Sequence, residues 1–162
     1  MSEPTLPKQG RLAGIDYGTV RVGVAICDPE RRLASPYENY NRRNEKLDAE
    51  YFRKLAANER LVGFVVGLPV HTSGDESGKS FEARQYGAWL QQTTGLPVAF
   101  HDERYTSTEA ESMLMVAGHT KKRRKKRLDA IAAQLILAAY LESSGRQDSA
   151  TQALWDDRPR DS

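Results

Sequence analysis

Cysteine is almost absent from this chain: Cys27 is the one thiol in 162 residues, so no internal disulfide can form, which fits a reducing compartment. Long apolar runs are missing as well. No stretch approaches the 18 or so consecutive apolar residues that a membrane-spanning helix needs, and Met1 to Gly10 is polar and proline-containing, without the apolar core of a secretion signal. No internal repeat is present. These absences lead us to expect a cytoplasmic protein with no membrane association. The length fits one domain with a sizeable core and is too short for two nucleotide-binding lobes. We expect a flexible N-terminus over 1–10, the domain over 11–143 and a polar, weakly ordered tail over 144–162.

Net charge is also small, +2, but it conceals a strong local asymmetry. Residues 121–127 read Lys121-Lys122-Arg123-Arg124-Lys125-Lys126-Arg127, which leaves 17 bases against 22 acids elsewhere, a net of −5. Seven adjacent cations repel one another and resist burial. Such a run serves either as a solvated face or as a grip on phosphates. Its place between two apolar segments and just before Asp129 favours a phosphate-binding loop.

The order of patterns predicts an α/β domain that opens with a β meander. Leu12, Gly14 and Asp16 alternate with Ala13 and Ile15, Gly18 permits a tight turn, and Arg21 to Ile26 alternates again. A third strand is expected over Arg31 to Asn41, with Leu33, Ser35 and Tyr37 on one face. Leu47 to Asn58 reads as an amphipathic helix, Leu61 to Leu68 as a strand buried on both faces, Lys79 to Thr93 as a helix, and Val98 to Phe100 as a strand. Thr106 to Glu109 has the spacing of a capping box and should open a helix that stops at Gly118. Leu128 to Leu141 is apolar almost all round, as expected of a helix lying flat on the sheet with its alanines allowing close approach.

Acids fall at the ends of three of these core elements. Asp16 ends the first strand beside a glycine turn, where a carboxylate is costly to desolvate unless a cation is near or its side chain caps the turn. Asp102 and Glu103 follow the last strand, and strand alternation lets only one of them face Asp16. Asp129 lies in the first turn of the apolar helix, where it also suits the helix dipole. Acids gathered in this way can hold two cations about 4 Å apart and so activate water against a phosphodiester.

The segments Gly14-Ile15-Asp16-Tyr17-Gly18 with Arg21 to Ala25, Val66-Gly67-Leu68-Pro69, Asp102-Glu103-Arg104 with Thr106, Glu109 and Ala110, and the basic run leading to Asp129-Ala130 resemble, in that order, the YqgF or RuvX family. The resemblance spans about Arg11 to Leu141. It implies an RNase H-like α/β fold with a five-stranded mixed sheet flanked by helices. It also implies Mg²⁺ or Mn²⁺ held by Asp16, Glu103 and Asp129, choosing Glu103 over Asp102. The members are described as pre-16S rRNA nucleases and Holliday junction resolvases. The loop after Pro69 departs from the family pattern, having His71 and Ser73 where an Asn and an Asp are common, so no substrate role passes to either; His71 is expected to be a surface loop residue and His101 to be structural.

Two other classes compete. Actin-like ATPases and sugar kinases share a hairpin like Gly14 to Thr19, but they clamp nucleotide between two lobes, and no second hairpin of that kind is present here. A non-catalytic RNA-binding factor of ribosome assembly, with structural acids, is the alternative of another class; the presence of all three acids argues against it. The expectation is therefore a metal-dependent endonuclease, a hydrolase of ester bonds, with Asp16, Glu103 and Asp129 catalytic and residues 121–127 gripping nucleic acid. Its partners would be structured RNA, chiefly the 5′ end of pre-16S rRNA on the small ribosomal subunit, or else branched DNA.

Overall fold

In the computed structural model, which describes residues 6–69, 78–103 and 128–156, the first alternating run forms strand β1 (Arg11–Asp16). It pairs antiparallel with β2 (Arg21–Cys27), setting Asp16 opposite Gly23, and β2 pairs antiparallel with β3 (Ala34–Asn41). On its other edge β1 runs parallel to β4 (Leu61–Leu68), which is parallel to β5 (Val98–Asp102). The order β3-β2-β1-β4-β5 is the five-stranded mixed sheet that the resemblance implied. Parallel neighbours on both edges of β4 explain its unbroken apolar sequence, since both of its faces are covered.

Helices α1 (Glu45–Asn58) and α2 (Gly78–Thr94) pack on one face, where Phe52, Leu55 and Leu90 meet Ile15, Val24 and Phe64. Helix α3 (Leu128–Asp156) covers the other. That face is paved with small residues. A Cβ added at Gly14 would stand 2.7 Å from the Ala133 carbonyl oxygen, one at Gly67 would stand 2.5 Å from Ile136 Cδ1, and one at Gly23 would collide with the carbonyl of Asp129. Helix backbone therefore rests almost directly on strand backbone, as the alanine-rich sequence of α3 suggested.

Several boundaries differ from the expected ones, each for a local reason. Helix α1 starts at Glu45 because Asn44 caps it, its Oδ1 accepting from Leu47 N at 2.9 Å; the first turn is polar and so invisible to apolar periodicity. Strand β3 starts at Ala34, after a turn in which the Asp28 carboxylate accepts from Arg32 N (2.8 Å) and Leu33 N (2.7 Å) and Arg31 takes a φ of 59°. Its expected facing is reversed: Leu33 is 61% exposed and Ala34 and Tyr40 are buried. A bulge between Val24 and Ala25 accommodates Pro36 on this edge strand.

The ends of the chain also correct the expectation. Residues 1–10, expected to be flexible, are anchored from Leu6 onward. Leu6 is buried in the α3-side core, Gly10 N donates to the Pro29 carbonyl at 3.2 Å, and Arg31 donates to the carbonyls of Pro7 and Gly10. Helix α3 does not end at Leu141 but continues to Asp156, through much of the segment expected as a tail, in which no proline interrupts it before Pro159. No helix among the described residues is long and apolar enough to cross a membrane. The capping box at Thr106 and the helix expected after it lie outside the described residues.

The close approach at Gly23 makes a quantitative demand. Gly23→Ala should destabilise the protein by about 1–3 kcal/mol through overpacking against backbone that cannot rotate away, whereas Gly78→Ala, with nothing within 4 Å of its added Cβ, should stay within about 0.5 kcal/mol. Urea denaturation of the two variants beside the parent checks this, and equal midpoints would remove the argument.

Candidate active site

Alternation along β1 puts Leu12, Gly14 and Asp16 on the face covered by α3, and Arg21 and Gly23 of β2 share that face. On β5 the same rule settles which of the two neighbouring acids turns inward. His101 is buried with its ring edge-on to Tyr140 of α3, so Glu103, two residues on, falls on the same side, and its Oε1 lies 2.8 Å from where a Gly67 Cβ would be. Asp102 alternates to the other side. Asp16 and Glu103 then line one cleft of about 340 Å³ with Gly18, Thr19, Gly67 and Lys79.

Asp129 reaches this neighbourhood from above. The fit of α3 onto Gly23 sets its backbone, and Asn39 of β3 completes the helix start by accepting from Ala130 N at 2.6 Å. The side chain of Asp129 accepts from Arg21 Nε at 3.0 Å. Among the described residues no three acidic, imidazole or thiol side chains stand within common reach of one ion, and the Asp129 carboxylate is paired with Arg21.

Electrostatics nevertheless ties the three acids together. Burial, then the charge of Glu103, then that of Asp129, push the Asp16 carboxyl up to about 7. Burial and the nearby Asp102 also raise Glu103. A half-buried aspartate whose carboxyl is raised toward neutrality beside Glu103 is a site of unfavourable negative charge that a hard dication would relieve. The oxygen donors of Asp16 and Glu103 fit a hard dication such as Mg²⁺ or Mn²⁺.

Three contributors were not singled out from sequence. Arg21 could have been found by extending the hairpin register, which places it on the Asp16 face; Lys79 and Asn39 carry no local signal, since only folding brings them near. The basic run 121–127 and His71 lie outside the described residues. His101 is buried, with its pKa lowered by desolvation, in keeping with a structural role.

Because Asp16 has a higher pKa folded than unfolded, it supports folding fully below about pH 4, and that support is lost as pH rises toward 7. Across this window it should make stability fall by up to about 1.4 kcal/mol per pH unit. In chelator-treated protein, Asp16→Asn should be more stable than the parent at pH 8 and indistinguishable from it at pH 4. Parallel denaturation curves at both pH values would contradict the placement of a partly desolvated charge at Asp16.

Comparison with known proteins agrees with this architecture. The family model described as "RuvX: Holliday junction resolvase" matches residues 10–143. A Rhodopirellula baltica protein named "Putative pre-16S rRNA nuclease" is 49% identical over 142 residues, covering 88% of this chain and 82% of the relative. A Koribacter versatilis protein of the same name is 37% identical over 145 residues, covering 90% and 94%. Thermus thermophilus RuvC, solved with a Holliday junction substrate, matches with a TM-score of 0.54 at 18% identity, over 83% of this chain and 96% of that one. The fowlpox virus resolvase bound to junction DNA matches with a TM-score of 0.51 at 12% identity, over 82% and 97%. These structures share the RNase H-like fold of the RuvC type, and the match over residues 10–143 places the chain in the RuvX family.

Proposed function

We propose that the protein is a metal-dependent endonuclease, a hydrolase of phosphodiester bonds in structured nucleic acid, and that its substrate is the 5′ end of pre-16S rRNA on small-subunit precursors in the cytoplasm. The observation that carries the reading is Asp16: a half-buried carboxyl that shares one cleft with Glu103 and that desolvation, and then the charges of Glu103 and Asp129, push up to about 7. Such a destabilised charge is found where function needs it. The relatives named for pre-16S rRNA support RNA as substrate.

A divalent cation bound here would supply Lewis acidity toward the scissile phosphate and a more acidic water. Asp16, central among the acids, would hold it, and Glu103 would complete its binding from β5. Asp129 would exchange its partner Arg21 for the cation, leaving the freed guanidinium beside the cleft as a donor to a phosphate oxygen. Lys79, on the cleft wall, would offset backbone charge. Lys121 to Arg127 would grip phosphates next to the site.

Asp16→Asn and Glu103→Gln should each abolish cleavage of a precursor 16S rRNA fragment in Mn²⁺ while Asp102→Asn leaves it within a few-fold. Cleavage by Asp16→Asn at the parental rate would refute the assignment, and a four-way DNA junction offered in parallel decides between the RNA substrate and the resolvase alternative. Changing Lys121, Lys122, Arg123 and Arg124 together to Gln should lower the slope of log affinity for single-stranded RNA against log salt by roughly 3, about 0.7 per phosphate contact. An unchanged slope would assign the run to solvent.

A further inference from the structure

A second and larger pocket, of about 520 Å³, adjoins the carboxylate cleft; Tyr17 and Glu82 line both. Its size lies within the range of small-ligand sites. One wall is a run of three rings: Tyr17 and Tyr86 have centroids 5.1 Å apart, and Tyr86 and Trp89 5.2 Å apart. The Arg42 guanidinium lies 5.5 Å from the centre of Tyr17 and 5.3 Å from that of Tyr86. Its Nη1 also donates to the Gly18 carbonyl at 3.1 Å, so the residue that orders this wall also holds the turn after Asp16.

The charges identify what such a pocket would take. Arg42 and Arg43 face Glu45, Asp48 and Glu82, an excess of acid that disfavours a phosphate. Asp48 is already engaged, accepting from the Tyr40 hydroxyl at 2.6 Å and from Arg43 N at 2.9 Å. What remains is the half-buried Trp89 ring beside the Arg42 guanidinium plane, which lies over Tyr17 and the buried Tyr86, with polar acceptors at the rim. That is the chemistry of a base and not of a backbone.

We propose that this pocket holds one unpaired nucleobase of the nucleic acid whose backbone occupies the Asp16 cleft, stacked against Trp89 and the Arg42 guanidinium that lies over Tyr17 and Tyr86. The inference rests on the nucleic-acid part of the reading above and is independent of its cleavage chemistry. Trp89 provides the test, because it is half-buried, lines the pocket and does not line the carboxylate cleft. The pocket thereby anchors the strand at a distance from the scissile bond, making position along the chain depend on an unstacked base.

The experiment uses full-length protein in the Asp16→Asn background and measures fluorescein-labelled single-stranded RNA by anisotropy across a salt series. Trp89→Ala should weaken binding about 5- to 100-fold, the effect of losing one base–aromatic stack, with the salt slope unchanged because no counterion-releasing contact is lost. Trp89→Phe should bind within about threefold of the parent. Since Trp89 also packs edge-on against Phe52 at 6.1 Å, the exposed wall residue Gln85 gives an arm that spares the core: Gln85→Trp should fill the pocket and weaken binding comparably. Affinity within twofold of the parent for Gln85→Trp, or for a folded Trp89→Ala, overturns the inference, as does a weakening that appears only as a reduced salt slope. Failure of the parent to bind RNA at all overturns it too. Cleavage by the Asp16→Asn parent at the wild-type rate would sink the nuclease reading of the carboxylates and leave the pocket result standing.

Discussion

The contact on which the rest of the molecule depends is that between the start of α3 and Gly23, where no side chain separates helix from strand. Removing a Cβ from the strand lets the helix drop onto the sheet, and Gly14 and Gly67 extend the same close fit toward Ala133 and Ile136. Three consequences follow from one geometry. The apolar face of the sheet is sealed, the register opposite Gly23 is that of Asp16, and the helix arrives with Asp129 at its first turn over the same spot. A bulkier face would have tilted the helix away and separated the acids.

Bringing those acids together works against folding. Asp16 is half-buried near like charges, and desolvation together with those charges pushes its carboxyl up to about 7. A structure optimised only for stability would place an amide or a methyl group there, since an uncompensated buried charge is among the costliest features of a core. The Arg21–Asp129 ion pair offsets part of the repulsion from the exposed side, where solvent screening keeps its contribution modest. The repulsion that remains is what the proposed cation would relieve.

Arg42 links this cleft to its neighbour. By donating to the carbonyls of the turn after Asp16 while lying on Tyr17 and Tyr86, it makes the conformation of the turn and the order of the aromatic wall one problem. A change on either side is felt on the other through one rigid, planar group.

Local pattern alone determined the strands and helices, because alternation and helical periodicity report burial one element at a time: β1, β2, β4, α2 and the apolar part of α3 fall where the residues put them. It failed where the deciding partner was polar or distant, at the Asn44 cap, at the Asp28 turn that reversed β3, and at the anchored Leu6. The acids were visible as strand and helix ends, but their company was not. Choosing Glu103 over Asp102 required the resemblance, and then the burial of His101 against Tyr140. Tertiary structure alone decided the shifted Asp16, the pairing of Arg21 with Asp129, the arrival of Lys79 and Asn39, and the aromatic pocket. Each of these is a property of the distance between groups far apart in the chain, and such distances are set by packing, which no single segment encodes.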